Sequence, residues 1–138
     1  MDTKQPYRAG RHCVFMLHAH LVFVTKYRGS IFSSAHLETL ESLFRNVCQD
    51  FEVELQEFNG EGDHVHLLVT YPPKVALSKL VNSLKGVSSR RMKQLHPDLI
   101  APAYRSNALW SPSYFAGSVG GAPLAVVKQY IEQQSRPL

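Results

Sequence analysis

Apolar side chains recur along this chain in two rhythms. Leu37, Leu40, Phe44, Val47 and Phe51 follow a three-four-three-four spacing that predicts an amphipathic helix, with Glu38, Glu41, Arg45 and Gln49 on its wet side and Ser33 or Ser34 as its cap. Leu77, Leu80, Val81, Leu84, Val87 and Met92 predict a second helix over about 77–95, stopped by His96-Pro97. Elsewhere the rhythm is that of strands. The run from Cys13 to Thr25, rich in Val, Phe and Leu, reads as one long strand. Residues 51–58 alternate Val53 and Leu55 with Glu52, Glu54 and Gln56, and His64 to Tyr71 is the second arm of a hairpin. Asn59-Gly60-Glu61-Gly62-Asp63 supplies the turn and Pro72-Pro73 ends the second arm. A short strand is expected near Ser113 to Val119, then a Gly120-Gly121 joint. A last helix, within residues 122–135, opens at Pro123 and runs to about Gln134.

This order of elements is the split βαβ pattern of a ferredoxin-like sandwich. The expected class is α+β: an antiparallel sheet with both long helices on one face, and an extra C-terminal helix. Residues 1–138 form one domain, opening with a polar and basic arm over 1–11.

Composition narrows the picture modestly. With 138 residues, 44% hydrophobic and 19% charged, the chain can build a core without disulfides or a structural metal. Cys13 and Cys48 have no C-x-x-C spacing and read as buried thiols in a reducing compartment. The apolar run Val14 to Val24 is interrupted by His18 and His20, is too short to span a bilayer, and is followed by no small-residue cleavage site; the expected location is the cytoplasm. A formal charge of +4 leans towards an acidic partner and means little unless the charges cluster.

Three groups of residues could carry chemistry. In His64-Val65-His66 the imidazoles leave a strand on the same face, which suits a divalent metal, although the pattern by itself more often marks ordinary sheet histidines. His18-Ala19-His20 repeats the pattern, but inside an apolar run with no glycine turn beside it, and is read as structural. Tyr130 and Gln134 lie four residues apart on one face of the last helix, where an aromatic is also an ordinary core residue. Lys26-Tyr27-Arg28, and Lys79, Lys85, Arg90, Arg91 and Lys93 on the second helix, combine phosphate-seeking charge with an aromatic able to stack on a base, or form a merely solvated face. Glycine-rich phosphate loops and dinucleotide fingerprints are absent.

Four blocks, taken together and in order, resemble the HUH single-tyrosine transposases of small bacterial insertion sequences, the IS200-like family. They are His20-Leu-Val-Phe-Val-Thr-Lys-Tyr-Arg28, Gly62-Asp-His-Val-His-Leu-Leu-Val69, Leu84-Lys-Gly-Val-Ser-Ser-Arg90 and Leu109-Trp-Ser-Pro-Ser-Tyr-Phe115. The resemblance covers nearly the whole chain. It implies that His64, Val65 and His66 are the family's His-hydrophobic-His metal motif, that Tyr130 is the nucleophile, and that Gln134 is the third protein ligand of Mg2+ or Mn2+. It further implies cleavage and rejoining of single-stranded DNA through a 5′-phosphotyrosine, recognition of subterminal hairpins, and a homodimer whose active sites are shared between subunits. Lys26, Tyr27, Arg28, Lys85, Arg90 and Arg91 are the candidate DNA contacts. The long apolar strand, hazardous as an open edge, suggests pairing with a partner. Competing readings are a REP-associated tyrosine transposase acting on dispersed repeat hairpins, and a non-catalytic ferredoxin-like nucleic-acid-binding module. A histidine-triad nucleotide hydrolase fits poorly, since Leu67-Leu68 stands where a further histidine is needed.

Overall fold

The computed structural model describes residues 7–10, 12–26, 29–99, 108–118 and 124–133. Its strands are β1 (Arg8–Ala9), β2 (Val14–Phe15), β3 (His18–Val24), β4 (Glu54–Gly60), β5 (His64–Thr70) and β6 (Phe115–Ser118). The helices are α1 (Ser34–Asp50), α2 (Leu77–Leu95) and α3 (Leu124–Gln133), with a 3-10 turn at Pro97–Leu99. The main sheet has the order β4-β5-β3-β6, and each neighbouring pair is antiparallel. Connections β3-α1-β4 and β5-α2-β6 make this the expected ferredoxin-like arrangement.

Alternation along the strands sorts the two faces. Ala19, Leu21 and Phe23 of β3 and Val65, Leu67 and Val69 of β5 pack with Leu40, Phe44 and Val47 of α1 and Leu80, Val81, Leu84 and Met92 of α2 in one core. At its centre Phe23 meets Phe44 and Trp110 edge-on, with ring centroids 5.9 and 5.8 Å away. A bulge between Leu55 and Glu57 resets the alternation of β4, so that Phe58 still pairs with Leu67. The residues in between, His18, His20, Val22 and Val24 with His64, His66, Leu68 and Thr70, line the other face. Val22 pairs with Phe115 of β6, and the Tyr130 ring of α3 lies 5.8 Å from the Phe115 ring, so α3 reaches this second face.

Ser33 caps α1, its hydroxyl accepting from the His36 N–H while His36 Nδ1 accepts from the Ser33 N–H. The helix closes with Glu52 at φ 60° and the Val53 N–H turned back to Cys48 O. That closure consumes residues 51–53, so β4 begins at Glu54 and extends through Gly60, later than the sequence pattern suggests.

Other expectations need correction. The run Cys13 to Thr25 is not one strand: β2 pairs with β1 in a separate two-stranded hairpin closed by a Gly10 N–H to Cys13 O bond. Part of the supposed arm is therefore ordered, and Arg8 anchors it by bonds to Glu54, Thr70 O and Glu52 O. Cys13 is exposed because it sits at that hairpin turn; Cys48 is buried as expected, and burial pushes its thiol up to about 11. β3 is no edge strand: β5 and β6 flank it on both sides, which removes the edge-protection argument for a dimer. The Gly120-Gly121 joint lies outside the described residues. Among the described residues no helix is long and apolar enough to cross a membrane.

Candidate active site

The turn between β4 and β5 is held from two directions. The Glu61 N–H donates to His64 O at 2.9 Å and closes the hairpin. Gly62 O accepts from the N–H groups of Ile31 and Phe32, at 2.8 and 3.0 Å, and Asp63 O accepts from the Thr25 N–H at 2.9 Å. The segments before α1 thus fix the start of β5, where His64 stands.

His64 and His66 leave β5 on the same face, both partly buried. Asp63 Oδ1 lies 2.8 Å from His64 Nδ1. A proton on Nδ1 donates to that carboxylate and leaves the Nε2 lone pair free for a ligand, as in carboxylate-oriented metal histidines. His66 Nε2 lies 2.8 Å from His20 Nδ1, and the two rings stack with centroids 4.9 Å apart. Burial, followed by the neighbouring His20, depresses the His66 pKa; neutral imidazole is the ligand form. His20 therefore stands against this pair; the sequence reading made it structural. Its cross-strand neighbours are Leu68 and Gly117, and Gly117 has no side chain to fill the space on that face. His18 is tied instead to Thr70 Oγ1 at 2.7 Å. The donor set of two or three imidazoles fits a divalent ion.

Tyr130 approaches the same face from the other side. Its hydroxyl is 2.8 Å from Ser113 Oγ and its ring packs on Phe115, two strands away from His66 through Val22. Two strand spacings amount to roughly 10 Å, so the phenol and the imidazoles share a face without touching. Burial raises the Tyr130 pKa, and the Ser113 hydrogen bond partly offsets this. Ser113 is itself fixed from below. Lys85 Nζ donates to the carbonyls of Ser111, Pro112 and Ser113 at 2.7, 3.3 and 3.1 Å, with burial lowering its pKa.

The remaining candidates do not converge on this point. Lys85 is turned into the loop that carries Ser113 and not outward. Arg90 and Arg91 are exposed on α2, in the helical layer across the sheet from the imidazoles, and Arg91 bonds Gln94 at 2.6 Å. Lys26 follows β3, beside the turn that carries His64, its N–H on Leu109 O. Tyr27, Arg28 and Gln134 lie outside the described residues. Sequence reasoning missed His20 and Ser113. For His20 the same-face H-x-H pattern was visible, but the pairing of β3 with β5 was not.

Comparisons with known proteins agree with one another. The family described as "Transposase IS200 like" matches residues 13–134. The chain is 33% identical over 127 residues to the ISDra2 transposase TnpA of Deinococcus radiodurans, spanning 92% of this chain and 90% of that protein. It is 32% identical over 115 residues to the transposase for insertion sequence element IS200 of Salmonella typhimurium, spanning 83% and 74%. A solved transposase structure from Deinococcus radiodurans superposes with a TM-score of 0.86 at 33% identity, over 94% of this chain and 99% of that one. A REP-associated tyrosine transposase bound to a REP hairpin shares the fold at a TM-score of 0.55 and 12% identity, over 96% and 68%.

Proposed function

The chain belongs to the IS200-like transposase family, and from that premise we propose that it cuts and rejoins single-stranded DNA with Tyr130 as nucleophile and His64 and His66 as ligands of a divalent ion, Mg2+ or Mn2+. The observation that carries this reading is the shared face: the imidazoles of His20, His64 and His66 project from one side of the sheet, and the Tyr130 ring of α3 packs on Phe115 over the same side. Gln134, four residues after Tyr130 in the sequence, completes the proposed ligand set, and His20 is a nitrogen donor beside His66.

The Tyr130 oxygen attacks the scissile phosphorus, a P–O bond forms, and the bond to the 3′-oxygen breaks. A proton passes to that oxygen, leaving a 5′-phosphotyrosine and a free 3′-hydroxyl. The link keeps the phosphodiester's energy, so a second 3′-hydroxyl can reverse the step without ATP. An ordinary phenol, with a pKa near 10, is a weak nucleophile, and burial makes Tyr130 weaker still. Ser113, by donating to the oxygen, favours the phenolate. When bound, the ion offsets charge developing on the phosphate. Lys85 acts as a positioning residue through the Ser111–Ser113 carbonyls, while Lys26, Tyr27, Arg28, Arg90 and Arg91 are proposed phosphate or base contacts for hairpin-bearing strands in the cytoplasm.

We also propose a homodimer with shared sites. Tyr130 is fastened over β6, and among the described residues β6 pairs only with β3, so a second copy has an edge to join beside the tyrosine. The primary test incubates the protein with flanking single-stranded oligonucleotides and Mg2+ and looks for a covalent protein–DNA band. Tyr130→Phe and His64→Ala are each expected to abolish it, with DNA binding kept in Tyr130→Phe. A covalent band that survives in Tyr130→Phe refutes the nucleophile, and binding without any band in the parent protein favours the non-catalytic module.

A further inference from the structure

We infer that His36, His96 and Asp98 form a second metal site, for a divalent transition ion such as Zn2+, joining the start of α1 to the turn after α2. It shares no residue with the site proposed above and lies in the helical layer. The ligand atoms of the three side chains lie within 4.8 Å of one another. His36 is buried on the first turn of α1, His96 is the C-cap of α2, and Asp98 stands in the 3-10 turn with its carboxylate exposed.

The hydrogen-bond roles of these groups follow from their partners. The Thr39 hydroxyl donates to Ala35 O at 3.2 Å and so accepts from His96 Nε2–H at 2.8 Å. A neutral His96 then carries a lone pair on Nδ1, and that lone pair faces Asp98 Oδ1 at 4.0 Å. Two acceptors turned towards each other are stabilised by a positive charge between them. His36 Nδ1 accepts the Ser33 N–H at 2.9 Å, so its Nε2–H donates to Asp98 Oδ2 at 2.9 Å. On binding, the ion takes the Nε2 lone pair and the proton moves to Nδ1, where Ser33 Oγ at 3.1 Å accepts it once the Ser33 N–H gives up its bond to that nitrogen. The two rings meet edge-on at 4.6 Å, which holds both histidines in place. Ligand atoms around tetrahedral zinc lie roughly 3.4 Å apart, so atoms that now lie within 4.8 Å of one another draw closer to close on the ion. Two imidazoles and one carboxylate suit Zn2+ or Co2+, and they leave a position for water.

The test uses full-length His64→Ala/His66→Ala protein, in which the other imidazole pair is removed. Zn2+ is titrated calorimetrically and Co2+ by its visible absorption. One ion per chain is expected, with a Zn2+-induced rise in melting temperature. Adding His96→Gln should weaken binding by at least about 100-fold and abolish that rise. Adding Asp98→Asn, which keeps a side-chain oxygen to accept from His36 at an exposed position, should weaken it similarly and carries the test if His96→Gln fails to fold. Absence of binding in the double variant overturns the site, as does binding that His96→Gln or Asp98→Asn leaves unchanged.

Discussion

Replacing Lys85 by methionine separates two roles for one cation. The ammonium donates to three carbonyls, and their fates differ. Ser111 is buried, so its carbonyl loses a charged hydrogen bond with little water to replace it. Pro112 and Ser113 are exposed, and water can take over their longer bonds at small cost. Methionine also relieves the desolvation that lowers the Lys85 pKa, which returns part of the loss. An unsatisfied buried carbonyl costs about 1–3 kcal/mol, so the net destabilisation should be about 2 kcal/mol. For a chain of this size that is ~7 °C in melting temperature. Trp110, the only tryptophan in the sequence and 4% exposed, reports the unfolding transition in urea. Freed carbonyls should also loosen Ser113 and slow covalent product formation. The salt dependence of single-stranded DNA binding should stay as in the parent, because no phosphate contact is lost. A Lys85→Met protein with unchanged stability and a salt slope smaller by about 0.7–0.9 would refute this and make Lys85 a phosphate contact.

Three other outcomes are expected. Ser113→Ala removes the hydrogen bond that lowers the Tyr130 pKa, so that pKa should rise further and the phenolate fraction at any given pH should fall; ultraviolet difference titration against Tyr130→Phe measures it, and an unchanged or lower value contradicts the assignment. Phe44→Ala empties a fully buried position touching Phe23, Phe58 and Trp110, and should cost about 3–5 kcal/mol in urea unfolding. Mixing His64→Ala with Tyr130→Phe protein and allowing subunit exchange should restore cleavage if sites are shared, since one site then combines intact histidines with an intact tyrosine; a mixture that stays dead places both on the same chain.

What the sequence made legible follows from the range of the interactions involved. Period-3.6 and period-2 patterns are local, so Leu40, Phe44 and Val47, or Val65, Leu67 and Val69, announce their face before any partner is known. The His64/His66 pair is legible for the same reason: alternation alone puts both rings on one side. His20 was read from its local surroundings, an apolar run, and the register that sets it against Leu68 and beside His66 is a tertiary fact. Its run is apolar because β3 is central, with Leu21 and Phe23 in the core and Val22 and Val24 buried on the second face. Apolar neighbours thus marked a central strand and not an inert histidine. The edge argument failed by the same confusion, since a strand this apolar is apolar because the sheet already encloses it. Lys85 shows the converse. A lysine in a basic stretch of helix looks solvated, and only the return of residues 111–113 over α2 turns it into a clamp. At this site the proposed ligands and nucleophile are local motifs, whereas the groups that hold them come from segments distant in sequence.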